Sequence, residues 1–132
     1  QRKGLPAALQ ELASYTSNRT QLQIELTATA VSSKETVNIH LYRIVQEIIH
    51  NTIKHAQASL LQIQLIRENG KLILTSKHNG KGFRYEEKIE KGSGFGLRNL
   101  LSRTDVLGGD LFIESKEGKG TVYTIEISLT NE

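Results

Sequence analysis

The sequence predicts an α+β two-layer sandwich of about three helices and five strands, and three observations carry that prediction. One long stretch, YRIVQEIIHNTIKHA at 42–56, reads as a single helix with two faces of different chemistry. Strand-like segments come in adjacent pairs, 60–67 with 71–77 and 110–115 with 121–129, which favours antiparallel hairpins over a doubly wound sheet. Between those pairs a glycine-rich stretch at 78–96 shows no sustained period and gives way to another helical pattern.

Taken in order, Gly4-Leu5-Pro6 opens a short helix, with Pro6 near its first position and Leu5, Leu9, Leu12 and Ala13 along one side. That helix stops around Ser17-Asn18. Residues 21–29 alternate Leu22, Ile24 and Leu26 against Gln23 and Glu25, the pattern of a half-buried strand. Ser32 followed by Glu35 matches a capping box and places the start of the central helix near Ser33, with its end near Ala56. Val37, Leu41, Ile44, Val45, Ile48 and Thr52 form its core-facing stripe.

Asn69-Gly70 joins the next two strands, because both residues tolerate the positive φ that a two-residue hairpin turn demands. Gly80, Gly82, Gly92, Gly94 and Gly96 punctuate the aperiodic stretch, and a long loop of this kind within a compact domain is more often functional than not. Leu97, Leu100, Leu101, Thr104 and Leu107 return to helical spacing, and Gly108-Gly109 closes that helix. The last two strands turn through 116–120. No internal repeat, low-complexity tract or linker interrupts the chain, so residues 1–132 are expected to be one domain.

Composition narrows the classes. A chain of 132 residues can bury a core without staples. The absence of cysteine excludes disulfides and thiolate metal sites, and a cytoplasmic setting is the expectation. A net charge of +3, with basic and acidic residues interleaved and few aromatics, gives no nucleic-acid footprint. No apolar run approaches the 18 residues of a membrane span, and no secretion signal is evident, so direct membrane insertion of this segment is not expected.

The chemistry concentrates on the central helix. Glu47, Asn51 and Lys54 recur at i, i+4 and i+7, which stacks a carboxylate, an amide and an ammonium within about 60° of arc, with His55 beside them. That trio suits a metal with a polyphosphate, and equally a solvated helix face. The familiar phosphate loops do not match: Gly80-Lys81 is followed by Gly82 where a Walker A loop needs Ser or Thr, and Leu97 or Tyr85 stands where a dinucleotide fingerprint needs its last glycine. A zinc hydrolase is disfavoured, since H-E-x-x-H is missing and His50 and His55 are five apart.

Four motifs in series are specific in combination: E-x-x-x-N-x-x-K-H on a helix, a hairpin ending in H-N-G-x-G-F, G-x-G-x-G-L opening a helix, and G-x-G-T opening the last strand. Over nearly its whole length the chain resembles the ATP-binding domain of sensor histidine kinases, in the superfamily shared with gyrase, heat-shock chaperone and mismatch-repair ATPases. The runs Q-E-I-I-H-N-T-I-K-H-A and G-F-G-L-R-N-L resemble the branch with nitrate- and desaturase-type sensors. The resemblance implies a Bergerat-type ATP-binding fold with a mixed sheet, and transfer of the γ-phosphoryl of Mg-ATP to a histidine on a separate domain.

By that resemblance Asn51 would hold Mg²⁺ against the phosphates of ATP, and Glu47 would act as catalytic base or orient water. Lys54 and His55 would face the phosphates or ribose. Gly80 and Gly82 would let the backbone approach the adenine, Gly94 and Gly96 would form the hinge of a lid, and the helix opening at Leu97 would offer free N–H groups to the phosphates, followed by Arg98. Thr121 would help close the adenine pocket.

Two departures stand out. Where the family has an Asp that accepts a hydrogen bond from the adenine amino group, this chain has His78; losing a charged acceptor costs about 1.5–3 kcal/mol, roughly ten- to a hundred-fold in affinity. One nitrogen of a neutral imidazole, or the Asn79 carbonyl, is the substitute acceptor expected. Second, His40, His50, His55 and His78 are followed by Leu41, Asn51, Ala56 and Asn79, and none stands on the acceptor hairpin that sensor kinases carry. The implied partners are therefore the dimerisation and phospho-acceptor domain of a parent kinase, itself open to anchoring in the inner membrane, and a downstream response regulator. The alternative is a non-catalytic or weakly nucleotide-binding regulatory module on the same fold, on account of His78. A third reading, with the same motifs, is a serine kinase acting on an anti-sigma partner.

Overall fold

A computed structural model describes residues 4–80, 95–116 and 118–129. Its elements are α1 (Leu5–Ser17), β1 (Gln23–Ala28), α2 (Glu35–His55), β2 (Leu60–Glu68), β3 (Lys71–His78), α3 (Phe95–Val106), β4 (Asp110–Ser115) and β5 (Thr121–Ser128). The five strands form one sheet in the order β1-β2-β3-β5-β4. The sheet is mixed, as expected. The pairs β2–β3, β3–β5 and β4–β5 are antiparallel, whereas β1 runs parallel to β2 from Gln23↔Leu60 to Ala28↔Leu65. The parallel pair follows from connectivity, because α2 carries the chain back to the end at which β1 began.

The β2–β3 turn is the two-residue hairpin that Asn69-Gly70 predicts. Glu68 pairs with Lys71, and Asn69 and Gly70 adopt φ of +54° and +75°, the left-handed pair of a type I′ turn. Alternation then sorts the strands. Leu61, Ile63 and Leu65 on β2, Leu72 and Leu74 on β3, and Tyr123, Ile125 and Ile127 on β5 share one buried cluster with Leu41, Ile44, Val45 and Ile48 of α2 and Leu97 and Leu100 of α3. Each fully buried aliphatic side chain in such a layer contributes about 1.5–3 kcal/mol. The other face of the sheet is largely polar and bears the Lys71–Glu126 ion pair at 3.2 Å.

Strand β1 is an edge, and α1 covers it. The Ser17 hydroxyl accepts from the Ile24 N–H at 3.0 Å, and the Gln10 amide donates to the Leu26 carbonyl at 2.8 Å, so polar groups that would template another strand are occupied.

The start of α2 corrects the capping-box expectation. Lys34 is the N-cap and makes no side-chain cap bond, and the helix begins at Glu35. Asn38, inside the first turn, does the work instead: its Oδ1 accepts from the Ser32 N–H at 3.0 Å and its Nδ2 donates to the Ser32 carbonyl at 2.9 Å. The Ser32 hydroxyl accepts from the Lys34 N–H at 3.0 Å. A buried amide can satisfy both backbone groups of one residue, and an exposed Glu35 carboxylate has no such advantage. At the other end of the chain's helices, α3 closes as Gly108-Gly109 predicts. Gly108 has φ of +66°, its N–H reaches the Asp105 carbonyl and the Gly109 N–H reaches the Thr104 carbonyl, a Schellman motif. No helix among the described residues is long and apolar enough to cross a membrane.

Candidate functional site

The C-terminal half of α2, the end of β3, the start of β5 and the first turns of α3 meet at one end of the sheet, and most of the expected site residues lie there. Glu47 and Asn51 are half-buried on successive turns of α2, while Lys54 and His55 are exposed in its last turn. The last-turn position gives Lys54 a structural reason as well, since a cation there complements the negative end of the helix dipole. From α3, Asn99 Nδ2 donates to Glu47 Oε1 at 3.5 Å. This contact ties the two helices together at the carboxylate. Asn99 was not among the residues singled out in the sequence; its only signal is an amide among leucines in the middle of a helix.

The Asn51 amide has no hydrogen-bond partner among the described residues. A free amide oxygen one turn from a carboxylate is a hard donor set of low count. Among the described residues no group of three His, Cys, Asp or Glu side chains could hold a metal by itself. This set therefore fits Mg²⁺, which takes one or two protein ligands and draws the rest from phosphate and water.

His78 ends β3 between Leu61 of β2 and Thr121 of β5, and only 7% of it is exposed. Its Nδ1 accepts a hydrogen bond from the Gly80 N–H at 3.1 Å. Burial holds its pKa below the ordinary histidine value, which favours the neutral ring. The acceptor nitrogen expected to face a ligand is thus already engaged by the backbone.

Asn79 is no substitute either. Its Oδ1 accepts from the N–H groups of Ser59 and Leu60 at 3.0 and 3.1 Å, and its Nδ2 donates to the Ser59 hydroxyl at 2.9 Å. It is a clamp between the end of β3 and the start of β2.

The glycines here have packing reasons. A Cβ on Gly80 would run into the Ala56 carbonyl oxygen and the Ala58 backbone, and one on Gly120, at φ of +85°, would run into the His78 carbonyl oxygen. Thr121 is buried, and its hydroxyl lies 2.7 Å from that of Ser115 across the β4–β5 pair. Ser115 went unremarked in the sequence, though its place on an alternating strand directly opposite Thr121 was available. Ser76, two residues before His78 on the same strand face, has a buried hydroxyl with no partner among the described residues. A cleft of about 560 Å³ opens at this end, lined by His78, Thr121, Ser115, Ile113, Gly120 and Val122 among others.

Helix α3 begins at Phe95, two residues before the expected start, so Leu97 belongs to its first turn and its side chain is buried in the core. Gly96 is the helix's second residue and Arg98 is exposed in the same turn. Gly82 and Gly94, with most of the expected lid, lie outside the described residues.

A two-layer α/β sandwich with a carboxylate–amide line on its central helix and a cleft at the strand ends is the frame of an ATPase domain of the kinase–gyrase–chaperone class. The chain belongs to the family of histidine kinase-, DNA gyrase B-, and HSP90-like ATPases, whose family model matches residues 36–131.

Among curated relatives it is 35% identical over 128 residues to the sensor histidine kinase ComP of Bacillus subtilis, covering 96% of this chain and 17% of ComP. It is 43% identical over 98 residues to the signal transduction histidine-protein kinase/phosphatase DegS of Brevibacillus brevis, covering 74% of this chain and 25% of DegS. The chain thus spans a quarter or less of the length of these relatives. The fold is that of the blue-light activated histidine kinase of Erythrobacter litoralis EL346, with a TM-score of 0.82 at 22% identity over 98% of this chain and 43% of that one.

Proposed function

We propose that this chain is the ATP-binding catalytic domain of a two-component sensor histidine kinase and transfers the γ-phosphoryl of Mg-ATP to a histidine on a separate dimerisation and phospho-acceptor domain. The observation that carries the reading is the placement of Glu47 and Asn51, half-buried on successive turns of α2 within a family of ATPases. The full-length names of the relatives support the choice of histidine kinase within that family.

In this reading each residue's work is positional and electrostatic, as phosphoryl transfer requires. The Asn51 amide oxygen holds Mg²⁺, which when bound neutralises charge on the phosphates. The first-turn N–H groups of α3 face the phosphate oxygens, with Arg98 beside them. Glu47, held by Asn99, accepts the proton of the attacking imidazole or orders a water next to it. Lys54 adds charge at the rim, with His55 beside it. His78, Gly80 and Thr121 form the base-binding end, and Gly96 lies in the first turn of α3 at the phosphate end. The domain works in the cytoplasm, where the acceptor domain of the parent kinase and its response regulator meet it.

The test is phosphotransfer from radiolabelled ATP to a separately supplied phospho-acceptor domain from a parent or related kinase. Acid-labile, alkali-stable label on that domain is expected, together with a large loss of rate in Glu47→Gln at preserved ATP binding. Acid-stable label on serine would move the domain to the serine kinases, and label-free acceptor with tight ATP binding would contradict the kinase assignment.

A further inference from the structure

Hydrogen-bond polarity at the inner wall of the cleft is fixed by the fold. The Gly80 N–H donates to Nδ1 of His78, so in the neutral ring the proton sits on Nε2, and Nε2 is a donor. That ring cannot readily turn round. It ends β3 between two paired strands, and the Gly80 backbone it bonds is itself pinned against Ala56 and Ala58. Nε2 has no protein partner among the described residues, and His78 lines the cleft, so this nitrogen is the ring's polar atom left for a ligand. Ile113 and the paired hydroxyls of Ser115 and Thr121 line the cleft with it, and Lys77, Glu114, Lys116 and Lys119 border it.

We propose that His78 inverts base recognition in this domain: it presents a hydrogen-bond donor at the 6-position of the bound purine, so that the site takes 6-oxopurine nucleoside triphosphates at least as tightly as ATP. The proposal rests on the reading of this cleft as the nucleotide-base site. An exocyclic amino group meets Nε2–H donor to donor and leaves both unpaired, whereas a 6-oxo group accepts from it. Sites that hydrogen-bond a substrate group discriminate strongly against analogues that leave a buried polar atom unmatched. Burial of His78 keeps the ring neutral, and with the backbone holding Nδ1 the donor stays on Nε2.

ATP and ITP differ only in the 6-substituent and the protonation it imposes on the adjacent ring nitrogen, which makes them the discriminating pair. Calorimetric titration of the 132-residue chain with each, in Mg²⁺, is expected to give an ITP affinity equal to or above that for ATP. His78→Asp, which restores a carboxylate acceptor, is expected to shift the ITP-to-ATP affinity ratio toward ATP by roughly ten- to a hundred-fold. The wild-type ratio stands alone if that variant does not fold. ATP bound well ahead of ITP by the wild-type chain would overturn the proposal while leaving the nucleotide-binding reading intact. Binding of ATP only after His78→Asp would overturn it too, and would make the wild-type site a silenced one. No binding of any nucleotide by either protein would overturn the underlying reading itself.

Discussion

The side-chain carbonyl of Asn79 lies 3.0 Å from the backbone nitrogen of Ser59, across twenty residues of sequence, and holds the entry of β2 against the exit of β3. Together with its bonds to Leu60 N–H and the Ser59 hydroxyl, this makes one amide responsible for three contacts. At about 1 kcal/mol per net hydrogen bond, Asn79→Ala is expected to lose about 2–3 kcal/mol in urea denaturation. Asn79→Asp keeps the two acceptor contacts and is expected to lose about half as much. Equal losses in the two variants would show that the acceptor contacts carry nothing.

Asn38 and Ser32 make the corresponding clamp at the other end of α2. Asn38→Ala removes both of its bonds to the backbone of the buried Ser32 and is expected to destabilise the chain by about 2–3 kcal/mol. Glu35→Ala is expected to stay within about 0.5 kcal/mol, since the exposed carboxylate belongs to no capping box. The reverse order of the two variants would reinstate the capping box.

Gly118 and Gly120 separate backbone strain from steric collision within one turn. Both have positive φ, but a Cβ meets nothing within 4 Å at Gly118 and meets the His78 carbonyl oxygen at Gly120. Gly118→Ala is expected to cost about 1 kcal/mol. Gly120→Ala is expected to cost about 3 kcal/mol or more and to weaken nucleotide binding, because β3 must move at His78 to admit the methyl.

Burial pushes the Tyr123 phenol up to about 12 from an ordinary value near 10. A group whose folded pKa is raised stabilises the fold fully below its unfolded value and loses that contribution as pH climbs through the folded one. The denaturation midpoint is therefore expected to fall between about pH 10 and pH 12, by up to roughly 2–3 kcal/mol of stability. Tyr123→Phe removes this loss. A variant falling as steeply as the parent would assign the alkaline transition to other groups.

Much of the fold was legible because its signals are local. Alternation located the strands, Asn69-Gly70 fixed the β2–β3 hairpin, and Gly108-Gly109 fixed the end of α3, each through a conformation that few residues can adopt. The capping box misled because Ser32 and Glu35 have the right spacing, while a buried Asn38 can bond both backbone groups of Ser32 and wins.

At the site, periodicity brought Glu47 and Asn51 onto one face, but the roles of Asn79, Asn99 and Ser115 depend on partners 20, 52 and 6 residues away. No short-range pattern encodes the first two, whereas Ser115 lay within reach, opposite Thr121 across the β4–β5 turn. The polarity of His78 was likewise out of reach: which nitrogen remains for a ligand is decided by Gly80, held in place by the turn after α2.

The most direct test of the account is calorimetric titration of the chain with ATP and ITP, with and without Mg²⁺, alongside Asn51→Ala. The account predicts Mg²⁺-dependent binding of at least one of these nucleotides to the parent chain and a loss of about ten-fold or more in Asn51→Ala, whose fold stays intact because that amide has no partner within the described protein. Binding that ignores both Mg²⁺ and Asn51, or no binding of either nucleotide to the folded parent chain, would contradict it.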